Sequence, residues 1–385
     1  MTVGRYIGDY VSNRGRTMAS TVYFARLKAG STDESAITRV RKLFDEAQFS
    51  TLIEADALTA IKLHVGERGN DSHLRPEFVR QVVERVKESG GKPFVTDTNT
   101  LYSGSRHNAV DHLATALEHG FDYAVLGAPI IISDGLVSDH FQEVRIDKKH
   151  FDTVKIAGDV VSAQSMIVMT HFKAHAMAGF GGAIKNLAMG CAPSAGKRDQ
   201  HKGMRPIVNE EGCSACGVCV EVCPSSAITI EGDVSRINRD LCVGCGECMT
   251  ACTTSSIGFD WKNDLPQFME MLTEHAFGAT VGKRGVGYLN FLLQITPDCD
   301  CVPWSDAPIV PDVGILASVD PVAIDAASVD LVNQQQGIAG TRLVKNLQPG
   351  QDKFKAVWGE TQGSIQLTYG EEIGLGTRSY ELVEL

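Results

Sequence analysis

Eight of the eleven cysteines stand in two runs of identical spacing, C-x2-C-x2-C-x3-C. The first run consists of Cys213, Cys216, Cys219 and Cys223, and the second of Cys242, Cys245, Cys248 and Cys252. Three closely spaced thiolates can bind three irons of one [4Fe–4S] cubane, and the fourth iron then takes a thiolate from another segment. The spacing therefore predicts two electron-transferring cubanes, one on Cys213, Cys216, Cys219 and Cys252, the other on Cys242, Cys245, Cys248 and Cys223.

The two runs belong to an internal duplication. One constant offset maps every cysteine of the first run onto the second, and it also maps Gly217 onto Gly246 and Ile228 onto Ile257. Zinc sites typically use C-x2-C pairs with longer spacers, and disulfide frameworks are typical of small secreted chains, so the spacing favours clusters over both. Residues 205–260 resemble the bacterial two-cluster ferredoxins, with Thr253 where that family usually carries proline.

Charge and hydropathy restrict the class of partner. The chain has 36 Lys and Arg against 47 Asp and Glu, a formal net charge of −11, and two clusters would bring it to about −15. Binding to nucleic acid needs a basic surface, so we expect none, and we expect an acidic electron carrier to dock on a basic patch of a redox partner. The chain begins without the apolar stretch of a signal peptide, and no apolar run reaches membrane-spanning length, which predicts a cytoplasmic protein with no membrane span.

Strand and helix patterns alternate around the cysteine runs, which predicts an α/β fold with a mainly parallel sheet and helices on both faces. The predicted strands include 58–65, 93–96, 123–127, 142–146, 159–161, 165–170 and 313–317. Asp320 and Pro321 predict the N-cap and first turn of a later helix. We expect the first part of the α/β domain at residues 20–204, an inserted small α+β domain at 205–260 and the second part with a C-terminal tail at 261–385.

Polar side chains follow several predicted strands. Lys62 and His64 end one strand, Asp97 ends another, and His171, Lys173 and His175 follow the most apolar one. Ligands usually bind at the carboxyl ends of such strands. A glycine-rich loop, 179–182, then precedes a short helix with Lys185 in its first turn, an arrangement suited to an anion. We therefore expect a pocket for an anionic small molecule or a cofactor such as flavin, bound by Lys62, His64, His171, Lys173, His175 and Lys185; the alternative is a tight turn with solvated bases.

Three cysteines lie outside the runs. Cys299 and Cys301 are separated by one residue, so an extended chain would direct both thiols to one side. The alternatives are an additional metal site, with or without Cys191, a redox role, or inert buried thiols.

The segments 170–175, 179–187, 298–301, 312–317 and 320–323 together resemble the bacterial and archaeal iron–sulfur proteins built on the domain of unknown function 362. The resemblance covers most of residues 20–335. It implies this architecture with an inserted two-cluster ferredoxin domain, and it implies no substrate.

These observations lead to one hypothesis with two rivals. The hypothesis is an iron–sulfur electron-transfer protein or oxidoreductase subunit whose two clusters relay single electrons between a redox partner and the pocket. The rivals are a non-enzymatic carrier with the α/β domain as a docking scaffold, and a cluster-based redox sensor. No catalytic residue is assigned.

Overall fold

The computed structural model describes residues 19–27, 35–102, 104–204, 206–254, 256–259, 264–359 and 361–385. The expected junctions of the inserted domain, residues 205 and 260–261, lie outside the described residues. The strands are β1 Ser20–Arg26, β2 Leu58–Lys62, β3 Lys92–Asp97, β4 Ile130–Ile132, β5 Phe141–Arg145, β6 Thr153–Ala157, β7 Ser165–His171, β8 Lys173–His175, β9 Gly179–Gly181, β10 Pro206–Val208, β11 Ile228–Glu231, β12 Val234–Ile237, β13 Ile257–Phe259, β14 Gly285–Leu292, β15 Gly314–Ser318 and β16 Tyr380–Glu384. The helices are α1 Ala36–Glu46, α2 Pro76–Glu88, α3 Ala109–Glu118, α4 Tyr123–Leu126, α5 Gly158–Ser162, α6 Ala183–Ala188, α7 Ser194–Gln200, α8 Val218–Glu221, α9 Glu247–Ala251, α10 Asp264–Thr280, α11 Pro321–Asn333, α12 Lys353–Val357 and α13 Ser364–Glu372, with 3₁₀ turns at Phe49–Leu52 and Glu210–Gly212.

Eight strands form one sheet in the order β16-β1-β15-β14-β7-β2-β3-β4. The run from β14 to β4 is parallel throughout, and β1 pairs in parallel with β16. Only β15 runs antiparallel to its neighbours, β1 and β14. The predicted α/β fold with a mainly parallel sheet is confirmed.

Strand β7 lies in the middle of the sheet, and all seven of its residues are buried. Its side chains alternate between the two faces. Met166 and Val168 belong to the core formed with α6, α10 and α11, whereas Ile167 and Met169 belong to the core formed with α1 and α2. Helices therefore cover both faces, which explains why this strand is apolar at nearly every position.

Two predicted strands are wrong. Residues 123–126 form helix α4, because the Asp122 side chain accepts a hydrogen bond from the Val125 N–H and Gly127 adopts the left-handed conformation that ends the helix. The edge strand begins later, at Ile130. Residues 159–161 lie inside α5, and the strand there is the preceding β6, which pairs with β5 in a separate antiparallel ribbon.

The predicted start of α11 is confirmed. One carboxylate oxygen of Asp320 accepts hydrogen bonds from the N–H groups of Val322 and Ala323, each at 2.9 Å. The other accepts from the Ser20 hydroxyl at 2.7 Å and from the Thr377 N–H at 2.9 Å. This cap therefore joins α11 to the first strand and to the C-terminal segment. Within the described ranges, no helix combines the length and apolar character needed to cross a bilayer.

Candidate functional site

The duplication in the cysteine segment, residues 206–259, is also a duplication of local geometry. Gly217 and Gly246 precede α8 and α9 with φ of 80° and 83°. The Ala227 N–H donates to the Cys223 sulfur at 3.2 Å, and the equivalent Ser256 N–H donates to the Cys252 sulfur at 3.3 Å. The fourth cysteine of each run is therefore held in the same backbone environment.

Each fourth cysteine faces the other run. Burial, together with the nearby thiols of Cys245, Cys242, Cys223 and Cys219, raises the pKa of Cys248 to about 12. Cys223 comes from the first run, yet it lines one small cavity together with Cys242, Cys245 and Cys248 of the second. On the other side, Thr253, the residue after Cys252, has its Oγ1 3.9 Å from the Cys216 sulfur of the first run. All eleven cysteines are free.

Lys62 is engaged in a buried ion pair at the carboxyl end of β2. Its side chain is fully buried, and its Nζ lies 3.0 Å from Asp97 Oδ1 and donates to Asn186 Oδ1 at 2.8 Å. Asp97 also lies 3.5 Å from Arg106, which pairs with Glu67 at 3.1 Å. Burial opposes ionisation of Asp97, but the charge of Lys62 together with His112 holds its pKa well below its usual range. Lys62 therefore stabilises the strand ends, and its charge is already balanced.

His171 and Lys173 both bind Asp300. His171 Nδ1 lies 2.8 Å from Asp300 Oδ1, and Lys173 Nζ lies 2.8 Å from Oδ2. Asp300 is fully buried, and although burial disfavours its charge, His171 and Lys173 hold its pKa well below the usual range. Asp300 stands between Cys299 and Cys301, so these two bases position the cysteine pair.

Cys299 and Cys301 lie on a turn, where an extended segment was expected. The Val302 N–H donates to the Cys299 carbonyl at 3.1 Å and closes the turn. The two sulfurs and one ring nitrogen of His175 all lie within 4.8 Å of one another, and Lys185 Nζ lies 3.8 Å from the Cys299 sulfur. Two thiols and an imidazole are a donor set that zinc or iron accepts.

Cys191 does not take part in this group. It is fully buried in the core beside α6, and burial raises its pKa to about 11. The environment matches the inert buried thiol that was one of the sequence alternatives.

The glycine loop does not provide the expected anion site. The first two N–H groups of α6, those of Ala183 and Ile184, donate to the carboxylate of Asp325 at 2.7 and 2.9 Å. A buried carboxylate of the protein itself therefore occupies the position where an anion was expected. Asp325 comes from α11, more than a hundred residues away, so no local pattern could have revealed it.

Gly182 leaves room for this carboxylate. A Cβ at position 182 would lie 2.4 Å from Asp325 Oδ1, so we expect Gly182→Ala to destabilise the fold by about 1–3 kcal/mol through overpacking. Urea unfolding followed by circular dichroism measures the change. Gly359→Ala is the control, because a Cβ there would meet only one backbone oxygen, at 3.8 Å. Equal unfolding midpoints for the two variants would show that Asp325 does not fill this position.

A cavity of about 740 Å³ lies where the strand ends meet the Cys299–Cys301 turn and the cysteine segment. His64, His175 and Lys185 line it, whereas Lys62, His171 and Lys173 are not among its described lining residues. Burial and the charge of Arg106 hold the pKa of His64 well below its usual range, which disfavours the charged form of this ring. From the cysteine segment the lining includes Cys245 and Cys252, one thiol from each predicted cubane.

Several lining residues were not identified from the sequence. They include two tryptophans, a tyrosine and three further cationic residues: Trp304, Trp358, Tyr102, Arg106, Lys197 and Arg342. Arg342 lies over the Trp358 ring, 4.0 Å from its centroid. Burial lowers the pKa of Lys197 to about 8. The Lys197 Nζ donates a hydrogen bond to Thr98 Oγ1 at 2.6 Å. Tyr102 and Arg106 lie in the polar loop that follows the carboxyl end of β3. Ligands usually bind at such strand ends, so the position of this loop could have indicated these two residues.

Comparisons with known proteins give one family and a distant structural similarity. A family model described as "Domain of unknown function (DUF362)" matches residues 59–330. Among solved structures, the chain is similar to the lactate racemase apoprotein from Thermoanaerobacterium thermosaccharolyticum, with 10% sequence identity and a TM-score of 0.33. That similarity covers 71% of this chain and 51% of the racemase chain, so this chain spans about half the length of that structure. No curated protein matches the chain significantly.

Proposed function

The chain belongs to the DUF362 family, and from the geometry above we propose that it is an iron–sulfur electron-transfer protein or oxidoreductase subunit. Residues 206–259 would form an inserted ferredoxin-like domain with two [4Fe–4S] clusters. The clusters would relay single electrons between a redox partner and a molecule bound in the cavity. The bound molecule would be an anionic substrate or a cofactor such as flavin.

The residues of the cysteine segment are suited to cubanes. Three thiols of one run and the fourth of the other are the ligand set of bacterial two-cluster proteins, and the small cavity that Cys223 shares with Cys242, Cys245 and Cys248 agrees with it. The N–H groups of Ala227 and Ser256 donate to ligand sulfurs. Such hydrogen bonds tune the potential of a bound cluster.

The observation that carries the proposal is the shared cavity. Cys245 and Cys252 line the same space as the strand-end residues His64, His175 and Lys185. An electron on either cluster would therefore start at the wall of the cavity. A volume of about 740 Å³ is within the range of small-molecule sites, and Lys185 and Arg342 bring positive charge to its wall.

The proposal is tested on protein isolated or reconstituted without air. We expect about eight irons and eight sulfides per chain and a visible chromophore that a one-electron reductant bleaches. Denaturation of protein isolated from cells should also release a bound anionic molecule, detected by mass spectrometry. Lys185→Met should keep the iron and lose this molecule, whereas Lys92→Met, whose ammonium lies at the amino end of β3 in an exposed pair with Asp56, should retain both.

Three results would contradict parts of the proposal. Zinc in place of iron would exclude the clusters. If the parent and both variants contain iron and sulfide but no bound molecule, the protein would instead be a non-enzymatic carrier whose α/β domain serves as a docking scaffold. Retention of the molecule by Lys185→Met at full occupancy would exclude the cavity as its site.

A further inference from the structure

We propose that Cys299 and Cys301 form a redox-active dithiol–disulfide pair that reduces a low-molecular-weight disulfide in the cavity. The inference rests on the proposed function for its electron supply, since the clusters would return the pair to the dithiol state. Reduction of a disulfide needs two electrons. Two one-electron carriers near the pair would supply them in two successive steps.

The first argument is the geometry of the two thiols. They lie on one turn within 4.8 Å of each other, and residues two apart in a turn are close enough for a disulfide without large backbone movement. Asp300 between them points away into its pair with His171 and Lys173. Its backbone carbonyl also accepts a hydrogen bond from the Glu67 N–H at 2.8 Å. The turn is thus fixed from its opposite side while both sulfurs face the cavity.

The second argument concerns His175, which is placed to donate a hydrogen bond to sulfur. Its Nδ1 accepts hydrogen bonds from the N–H groups of Met177 and Ala178 at 3.1 and 3.0 Å. The tautomer consistent with both bonds carries its proton on Nε2, and the ring lies with one nitrogen within 4.8 Å of the Cys299 sulfur. A metal ion would bind His175 Nε2 through a lone pair, and the protonated Nε2 has none to offer. The donor set near Cys299 therefore fits a thiolate better than it fits a metal.

The third argument is the difference between the two thiols. The hydrogen bond from Cys301, with the charges of Lys185 and Lys173, outweighs burial and holds the pKa of Cys299 well below its usual range, whereas the pKa of Cys301 is raised. Because the Lys185 ammonium also lies 3.8 Å from the Cys299 sulfur, we assign Cys299 as the attacking thiolate and Cys301 as the resolving thiol. Cys299 is only 5% exposed, so its partner must be a small molecule that enters the cavity.

The reaction balances as follows. The Cys299 thiolate attacks one sulfur of the substrate disulfide, forms a mixed disulfide and releases the first substrate thiol, which takes up a proton. Cys301 loses its proton and attacks the Cys299 sulfur, forming the Cys299–Cys301 disulfide and releasing the second thiol. The second substrate thiol takes up the proton that Cys301 lost. Two electrons, which the clusters would supply one at a time, and one proton then restore the Cys299 thiolate and the Cys301 thiol.

The thiol chemistry is tested with dithiobis(nitrobenzoate), a small aromatic disulfide, added to the full-length protein holding its clusters. Wild type should release about two coloured thiolates per chain rapidly, and Cys301→Ser about one, leaving a stable mixed disulfide on Cys299. Cys299→Ser should slow the first release about tenfold or more, because the remaining thiol is largely protonated. Cys191→Ala is the matched control and should behave as wild type.

Electron delivery is tested separately, by peptide mass spectrometry after alkylation. In the oxidised protein, the peptide with residues 299–301 should lack two hydrogens and resist alkylation. A photochemical one-electron donor should make it alkylable in wild type but not in Cys242→Ser/Cys245→Ser/Cys252→Ser, which is expected to hold neither cluster. A dithiol reductant should reduce the Cys299–Cys301 disulfide in wild type and in the variant alike. Failure of the photochemical step alone, in wild type, would overturn the electron supply, and with it the proposed function, while the dithiol assignment stands.

Two results would overturn the dithiol assignment itself. One is release of a single thiolate by wild type with no internal disulfide in the peptide. The other is one metal ion per chain beyond the cluster iron, lost in both His175→Ala and Cys299→Ser, which would make the group a metal site.

Discussion

Cys242→Ser/Cys245→Ser is expected to lose one whole cluster, about four irons per chain, and keep the other. In this background, adding Cys223→Ser should remove no further iron, because Cys223 has already lost the cubane that it completes. Adding Cys252→Ser should remove the remaining four, because Cys252 would complete the cubane of the first run. Iron and sulfide analysis after anaerobic reconstitution, with electron paramagnetic resonance of the reduced samples, measures the outcome.

The two triple variants are matched controls for each other. Each adds one serine at the fourth position of a run, and each removes a sulfur that accepts an equivalent N–H hydrogen bond. If ligation were not crossed, the two results would be exchanged: Cys223→Ser would empty the first site and Cys252→Ser would change nothing. Equal losses in both would show a folding defect and contradict the assignment.

The second large effect is expected at the buried ion pair between β2 and β3. Asp97→Asn keeps the shape of the side chain but leaves Lys62 without its counter-charge in a fully buried position. Removing one member of a buried pair typically costs about 3–5 kcal/mol, because the remaining charge stays desolvated. We expect a corresponding fall in the free energy of unfolding, measured by urea denaturation under exclusion of air.

Two comparisons identify the cause. Asp147→Asn, in an exposed pair with Arg145, should leave the unfolding midpoint unchanged. Lys62→Met/Asp97→Asn should recover part of the loss, because the buried charge is gone. The pKa of Asp97 is lowered in the folded state, so its contribution is present above the unfolded value of about 3.9 and is lost as the pH falls below it. The difference between wild type and Asp97→Asn should therefore shrink below about pH 4, and a constant difference would contradict this account.

The positions that the sequence predicted well depend on neighbours close along the chain. The cap of α11 is set by Asp320 and the next three residues. The repeated geometry of the cysteine loops follows the repeated spacing, because the glycines and N–H donors that shape each loop lie within a few residues of the cysteines. The wrong strand at residues 123–127 also has a local cause, since a capping Asp122 and a terminating Gly127 were overlooked at α4.

Tertiary structure decided which polar groups are available at the strand ends. Lys173 and His171 meet Asp300, and the N-terminus of α6 meets Asp325, all across more than a hundred residues. No spacing rule reaches that far, because such contacts depend on which strands become neighbours in the sheet. By itself, the sequence determined an α/β chain with a duplicated cysteine loop. Only the folded structure brought Cys299, Cys301 and His175 to one cavity wall, because burying a charge or a thiol requires partners that folding alone supplies.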